Sequence, residues 1–522
     1  MMNFNENKYS DDICKYEHFS QRASESTRRE TLRRRKAILF ILILFCHAAL
    51  FSQVKRGNVW VTGHNGSKIN FNTPTISTSA NNFPLKYFSA GNSCISDTNG
   101  NLILASDGFN IYDSTGQWLL DGDTIVPTAY YLAKNGHSIN SQTSIFLPKD
   151  SNQYYFITSS FSDSQHIDCI TNNNCYHDLL LYNVIDMNAN GGMGKVVQRM
   201  VPACSSAHFR KTQMIPCRHG NGKDWWLLKN EGDYGDVHTF LFTQDNVFDK
   251  GIQMFNQPNW GPWDIRGQST FNSDGSRFAT TSHGSCTGLV FLADFDRCHG
   301  VLSNPSVLQM PWGSQQMPWD TTLQERLSTG LCFSPNGNFL YVISNWNIYQ
   351  YDLLDNSWFH VSGIDTSAEA FMQYETAYKG PDNKIYVGNF HGLSKQMSRI
   401  DNPDVKGAGC NFCPRCLRLD SIAGVFSVGT PPCMPDYGLG AKTCWPLESQ
   451  QYAVGSEQLE VYPNPSSAVF IIKNKHGKNK ELYTVLGELL FSTKEDVINV
   501  SHFASGIYYL RCENEVVKLI IE

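Results

Sequence analysis

The side chains with most chemistry to offer sit in a few short stretches. Cys410, Cys413 and Cys416 recur at every third position in Cys410-Asn411-Phe412-Cys413-Pro414-Arg415-Cys416. Thiolates so spaced can grip zinc if a fourth ligand such as Cys433 joins them. No second Cys-x-x-Cys and no nearby histidine supports a metal knot, so disulfides among Cys410, Cys413, Cys416, Cys433 and Cys444 are the expected use. Cys169 and Cys175 flank an Asn-rich loop and are expected to pair in the same way.

Trp260 and Trp263 (Asn259-Trp260-Gly261-Pro262-Trp263-Asp264) lie beside proline and glycine, hence in loops, as do Trp312 (Pro311-Trp312-Gly313) and Trp319 (Pro318-Trp319-Asp320). Indole faces stack on sugar rings and neighbouring carboxylates bind hydroxyls, so these four are a candidate glycan-binding rim. The competing use is to fill gaps between packed sheets. His283-Gly284-Ser285-Cys286-Thr287-Gly288 contains nucleophile types, but serine and histidine this close belong more often to a turn than to a triad. Asp97-Thr98-Asn99-Gly100-Asn101 has the oxygens of a calcium loop, yet an EF-hand wants glycine sixth and glutamate twelfth. Here glycine stands fourth and Gly108 twelfth, so a hairpin turn is expected. The sequence holds no His-Glu-x-x-His, Gly-x-Ser-x-Gly or phosphate-cradling glycine loop. No catalytic residue, metal or cofactor is expected.

The elements that carry these loops are strands. From Gly57 to about Cys444, Asp, Asn or Ser clusters with glycine introduce short apolar runs: Asp97 to Ala105, Asn221 to Leu228, Ser273 to Ala279, Ser334 to Val342 and Gly380 to Val387. Each reads as a turn feeding a strand. A second strand follows at Phe109 to Asp113, Leu289 to Phe295 and Ile348 to Leu353. The unit recurs at about 50 to 60 residues, the range of propeller blades, and predicts an all-β β-propeller of about six to eight blades. Helical periodicity is scarce, so a parallel α/β sheet is not supported.

The last stretch, Leu459 to Glu522, is a string of short strands with polar turns, the pattern of a small β-sandwich. Leu482 to Leu489 reads as a hairpin about Gly487, and Val497 to Arg511 as another about Gly506. Its marks are Tyr462-Pro463-Asn464-Pro465, Leu486-Gly487-Glu488, Ser505-Gly506-Ile507-Tyr508-Tyr509 and Lys518-Leu519-Ile520. In these the stretch resembles the type A C-terminal sorting domain of the type IX secretion system. The resemblance implies recognition by the outer-membrane translocon and its sorting machinery. It also implies later removal of the domain, with release or anchoring of the remainder. The longer region is similar to a family of secreted propeller proteins carrying the same tail, on Ile95-Ser96-Asp97-Thr98-Asn99-Gly100-Asn101-Leu102, Asp107-Gly108, Gly275, Phe333-Ser334-Pro335-Asn336-Gly337 and Ile400-Asp401-Asn402-Pro403. That family implies fold and export but no activity.

At the other end, Arg33-Arg34-Arg35-Lys36 precedes the apolar run Ala37 to Leu50 and then Phe51-Ser52-Gln53, the layout of a signal peptide cut after Ser52. The long polar segment before it is read as an extended n-region, and a misassigned start codon would account for it. Bulky Phe45 argues against Cys46 as a lipid acceptor, and Thr31 against a twin-arginine signal. The net charge of −6 leaves no basic excess for nucleic acid or anionic membranes. An exported chain can oxidise its 16 cysteines. The expected organisation is therefore n-region and signal peptide over 1–52, propeller over 53–446, linker over 447–458 and sorting domain over 459–522. The expected function is a secreted or cell-surface binding or adhesion module, with extracellular glycans as candidate ligands. The alternative is a propeller hydrolase or lyase acting on extracellular polysaccharide, and a structural role in matrix is the third.

Overall fold

The computed structural model describes residues 55–64, 67–80, 83, 87–204, 207–232, 235–255, 267–281, 288–311, 328–344, 346–363, 373–389, 394–419, 429–444, 459–473, 475–484, 488–512 and 515–522. The expected signal peptide and linker, Trp260, Trp263, Trp312, Trp319, His283 to Thr287 and Gly487 lie outside the described residues. The chain divides between Cys444 and Trp445 into two compact units.

Among the described residues the first unit holds seven antiparallel sheets. Blade 1 has strands Val59–His64, Ser67–Asn70 and Ser77–Ala80, with Tyr87–Phe88 on the inner side. Blade 2 has three, Ser93–Ser96, Leu102–Ser106 and Ile111–Asp113. The others have four each, paired in chain order. Blade 3 runs Ser144–Pro148, Gln153–Ser160, Leu179–Asp186 and Lys195–Pro202; blade 4 runs Phe209–Arg218, Trp225–Glu231, Asp236–Phe242 and Val247–Gln253. Blade 5 runs Ser269–Phe271, Arg277–Thr281, Leu289–Asp296 and Val301–Gln309. Blade 6 runs Gly330–Phe333, Phe339–Ile343, Ile348–Asp352 and Ser357–Ser362; blade 7 runs Tyr374–Lys379, Ile385–Asn389, Gln396–Ile400 and Phe412–Arg418.

Apolar clusters seal the meetings of neighbouring blades, because inner and middle strands bury side chains on both faces. Phe88 and Tyr112 seal blades 1 and 2. Ile145, Trp225 and Phe240 belong to the cluster joining blades 2, 3 and 4. Trp226 and Phe291 join 4 to 5, Val290 and Leu340 join 5 to 6, and Tyr341 and Val387 join 6 to 7. Trp60 and Phe71 then meet Tyr386 of blade 7, with Trp60 and Tyr386 edge-to-face at 5.2 Å. The ring is closed, so the unit is a β-propeller.

All five turns read from sequence join an inner strand to its neighbour, and they lie on one face, here called lower. The last segment of the unit is a strap from Gly429 to Cys444. It starts beside the link between blades 1 and 2, where Thr430 Oγ1 donates to Ser89 O at 3.1 Å and Cys433 N–H to Asn92 O at 2.9 Å. Its later residues cross the lower face. Tyr437 OH reaches Phe146 O of blade 3 at 2.8 Å, and Lys442 N–H reaches Gly220 O of blade 4 at 2.8 Å. Cys444 ends the segment in a disulfide with Cys298, just past the third strand of blade 5. Gly275 shows why the turn beneath must be bare. Its φ is +71°, and a Cβ there would stand 2.7 Å from Cys217 Sγ and 2.9 Å from a Leu439 methyl.

The second unit is a sandwich of a three-stranded sheet (Glu460–Tyr462, Val469–Lys473, Val497–Asn499) and a four-stranded one (Leu489–Thr493, Lys480–Thr484, Gly506–Cys512, Glu515–Ile521). Phe470, Leu482, Leu510 and Leu519 fill its core. The Leu482 to Leu489 hairpin forms as expected. The expected hairpin from Val497 to Arg511 does not: Val497–Asn499 pairs with Val469–Lys473 in the other sheet. Alternation of apolar residues identifies a strand but not its partner, and here burying Ile498 and Leu510 in one core separates the two strands.

Cys298 and Cys444 are 146 positions apart, so their bond should stabilise the propeller by roughly 2 to 5 kcal/mol. Cys298→Ser, Cys444→Ser and the double variant should lose similar amounts in non-reducing urea melts. A double variant clearly worse than either single would show that the cysteines act separately.

Candidate functional site

The strap roofs a cavity of 380 Å³ at the lower mouth, walled by Trp60, Asn272, Phe333, Lys379, Asp436 and Gly438 among others. Lys379 Nζ sits 3.1 Å from both Ser273 Oγ and Asp436 Oδ2, tying blade 7 to blade 5 and to the strap. Arg297 is buried and donates to three carbonyls, of Arg218 (2.8 Å), Asp274 (3.2 Å) and Gly440 (2.5 Å). Arg218 lies over the Trp225 ring at 4.2 Å. Burial, then the charges of Arg56 and Arg297, push its pKa down to about 10. Lys379 and Arg297 hold the strap in place.

Above the cavity, polar side chains bridge the channel. Gln142, between blades 2 and 3, reaches Ser269 of blade 5, with Nε2 donating to its O (2.8 Å) and Oε1 accepting from its N–H (2.7 Å). Gln268 accepts from the N–H groups of Leu331 (3.1 Å) and Ala377 (3.0 Å) and donates to Ala377 O (2.7 Å), linking blades 5, 6 and 7. Gln213 donates to Thr281 O. Asn230 Oδ1 accepts from Ser269 Oγ and Thr280 Oγ1 at 3.1 and 3.2 Å. A primary amide can replace two backbone partners at once, which suits glutamine to an axis where inner strands are too splayed to pair.

Two histidine arrangements resemble chemistry. Ser159 Oγ lies 2.8 Å from His177 Nδ1, but both residues are fully buried under Tyr130 and Phe161. Burial holds His177 well below its ordinary pKa, so it is a neutral core residue. On blade 4, His238 is held between Glu231 and Asp249, each 2.6 Å away. Burial pulls His238 down, and hydrogen bonds to the two carboxylates outweigh it and raise the pKa. Sequence reasoning missed this trio. Glu231, His238 and Asp249 come from three successive strands, and only the register opposing Glu231 to Asp236 and His238 to Ile252 brings them together.

The opposite, upper face receives the connections between blades and those between second and third strands. Tyr87, His137 and His64 form a ring cluster there: Tyr87 is stacked on His137 at 5.0 Å and edge-on to His64 at 4.4 Å, and is 43% exposed. The helix Asp163–Asn172 and the Cys169–Cys175 disulfide also lie in such a connection. By sequence, Trp260 and Trp263 belong to the link between blades 4 and 5, and Trp312 and Trp319 to that between 5 and 6.

The cysteine expectations are met unevenly. Cys413 pairs with Cys416, and Cys444 with Cys298, a residue outside the expected set. Cys410 and Cys433 form no disulfide, a correction to the expected set. Both thiols are buried and bonded to tyrosines, Cys410 to Tyr341 and Cys433 to Tyr378. Burial pushes the Cys433 thiol up to about 12, which keeps it inert. Among the described residues no three His, Cys, Asp or Glu side chains gather as a metal site. Asp97 folds its own turn, accepting from the N–H groups of Asn99 and Asn101 at 2.8 Å.

In the sandwich, Tyr462-Pro463-Asn464-Pro465 leads off the first strand, and Asn464 bridges to the last one. Its Nδ2 donates to Lys518 O (2.7 Å) and its Oδ1 accepts from Ile520 N–H (2.9 Å). Ser466 N–H then bonds to Ile520 O at 3.0 Å. Lys473 Nζ sits over the Tyr462 ring at 4.6 Å. Gly506 begins the strand paired with the chain end, opposite Ile521. The marks at both ends of the stretch therefore form one clasp. On the outer face of the four-stranded sheet, Leu489 and Tyr509 flank Tyr483 across the strands, with Ile507 opposite Ile520. Leu489, Ile507, Tyr509 and Ile520 are 36 to 50% exposed, an apolar face left open to solvent.

Residues 460–522 match the family of secretion system C-terminal sorting domains. The chain thus carries a type IX secretion tail and is exported to the cell surface or the medium. Among curated proteins none matches the sequence. Among solved structures, the chain is similar to a 6-phosphogluconolactonase candidate from Bacteroides fragilis at 11% identity and TM-score 0.39, covering 72% of this chain and 95% of that one. It is also similar to the Swd1 β-propeller domain of Myceliophteria thermophila at 10% identity and TM-score 0.35, covering 64% and 90%. AztD of Citrobacter koseri follows at 12% identity and TM-score 0.30, covering 72% and 87%.

Two predictions rest on these bonds. Asn464→Ala should cost the sandwich about 1 kcal/mol, the net worth of solvent-exposed hydrogen bonds, with amide exchange accelerating at Ile520. An unchanged exchange rate there would refute the clasp. His238 has a raised pKa, so its contribution is fully present below the unfolded value of about 6.5 and fades as pH rises through the folded value. The stability gap between the protein and His238→Gln, read from melts across pH 5 to 9, should therefore shrink with rising pH.

Proposed function

We propose that the propeller is a non-enzymatic binding module that works outside the cell through its upper face. One observation carries the reading: the strap runs across the lower mouth, and Gln142 and Gln268 bridge the channel with bonds to the backbone of other blades. The rim of upper connections is the part of the propeller left for a ligand as large as a polymer. The Tyr87, His137 and His64 rings offer an aromatic platform, and by sequence four tryptophans fall in the links between blades 4 and 5 and between blades 5 and 6. Stacking surfaces beside carboxylates suit the sugar rings of an extracellular glycan. A propeller hydrolase or lyase would instead need acids or histidines free to meet substrate.

The outer face of the tail's four-stranded sheet is, on the same reading, the surface that the translocon and its sorting machinery grip. The clasp at Asn464 holds that sheet's last strand in place.

The test of the propeller is binding of the full exported protein to arrayed glycans and cell-wall polymers, beside Tyr87→Ala, Trp260→Ala and Trp312→Ala. Saturable binding, weakened about tenfold or more by at least one variant with its melt intact, is expected, since a stacked ring contributes on the order of 1 kcal/mol or more. Product release from any polymer would favour the enzyme, and absence of binding would sink the module. For the tail, Ile507→Asp with Tyr509→Lys should leave the sandwich folded and hold the protein in the periplasm.

A further inference from the structure

We propose that Cys413–Cys416 is a thiol-exchange site, able to pass its disulfide to thiols that the protein meets after export. The disulfide lies in the outermost strand of blade 7, Phe412–Arg418. Arg399 opposes Cys413 and Met397 opposes Leu417, so Pro414, Arg415 and Cys416 bulge out against Ser398 alone. Arg415 takes a φ of +55°, and its N–H is held by Ser398 Oγ at 3.2 Å. Both sulfur-bearing residues are half-buried and Pro414 is exposed, so an incoming thiolate can approach from the edge of the sheet.

Three features separate this bond from the other two. It closes the shortest loop of the three, and loop closure is the main way a disulfide stabilises a fold, so its structural return is the smallest. It joins residues of a single strand already fixed by pairing to Gln396–Ile400, whereas Cys298–Cys444 anchors the strap. It also lies among cations. Arg399 stands across from Cys413, Arg415 sits between the two cysteines and Arg418 ends the strand. Positive charge beside a Cys-x-x-Cys favours the thiolate and makes it a better leaving group. Arg399 shares its charge with Asp401 at 2.6 Å, which tempers the effect. Cys410 lies just upstream but is buried and bonded to Tyr341, which takes it out of the exchange.

The chemistry balances without a metal or cofactor. A substrate thiolate bonds to Cys413 Sγ, the Cys413–Cys416 bond breaks, and the electron pair stays on Cys416 Sγ as a thiolate. A second substrate thiol, as its thiolate, then displaces Cys413. The substrate leaves as a disulfide and the protein as a dithiol. The natural substrate class is a dithiol on another exported chain.

The test uses the full exported protein equilibrated in glutathione buffers of graded reduced-to-oxidised ratio, followed by alkylation and mass spectrometry of each cysteine. Cys413 and Cys416 should become alkylated at a reduced fraction about tenfold or more below that needed for Cys169–Cys175 and Cys298–Cys444, in protein whose melt is unchanged. In Cys416→Ser, oxidised glutathione should form a mixed disulfide on Cys413 faster than on Cys410 or Cys433, and Arg399→Gln in that background should slow it. Reduction of Cys413–Cys416 only together with the other bonds, or only after unfolding, would overturn the proposal. So would a mixed disulfide on Cys413 no faster than on the buried thiols.

Discussion

The strap from Gly429 to Cys444 is the constraint on which the propeller depends. Seven blades sealed by apolar clusters still need the first to be fixed to the last, and here Trp60, Phe71 and Tyr386 make that contact. The strap strengthens it by touching several blades in turn, through Thr430, Cys433, Tyr437, Arg297 and Lys442. A segment this short has no core of its own. It stays in place because backbone groups of Cys433, Gly440 and Lys442 and the side chains of Thr430 and Tyr437 are bonded to the blades.

That arrangement explains where the last disulfide sits. Cys444 is the final described residue of the propeller and is bonded to Cys298. Removal of the tail, which the sorting-domain resemblance implies, would otherwise expose a loose end beside the strap. With the bond in place, a cut beyond Cys444 leaves the ring fastened. The same logic holds in the sandwich, where Asn464 near the start binds the backbone of the last strand. Each unit fixes its own end.

Much of this was legible in the chain. Turn clusters such as Ser273-Asp274-Gly275 and Ser334-Pro335-Asn336-Gly337 mark inner-to-second turns because their backbone demands are local, and local demands are written in adjacent residues. The tail's marks were legible for the same reason. What depended on distant register was not. Nothing near Cys444 in sequence names Cys298 as its partner, and His238 gives no hint of Glu231 and Asp249 until three strands are laid side by side. The pairing of Val497–Asn499 was misread because a strand's own pattern is the same in either sheet.

The glutamines at the axis carry the argument about function one step further. A propeller that processes a substrate in its channel must leave polar groups there unspent, and an unspent buried amide costs about 1 to 3 kcal/mol unless ligand or water meets it. Gln213 Oε1 and Asn230 Nδ2 are left without a hydrogen-bond partner among the described residues, while Gln142 and Gln268 use both amide ends on the backbones of other blades. Their bonds do for the axis what the strap does for the lower mouth. Stability is placed at the centre and the lower face, which leaves the upper connections and the exposed edge of blade 7 as the parts of the propeller least constrained by its own folding.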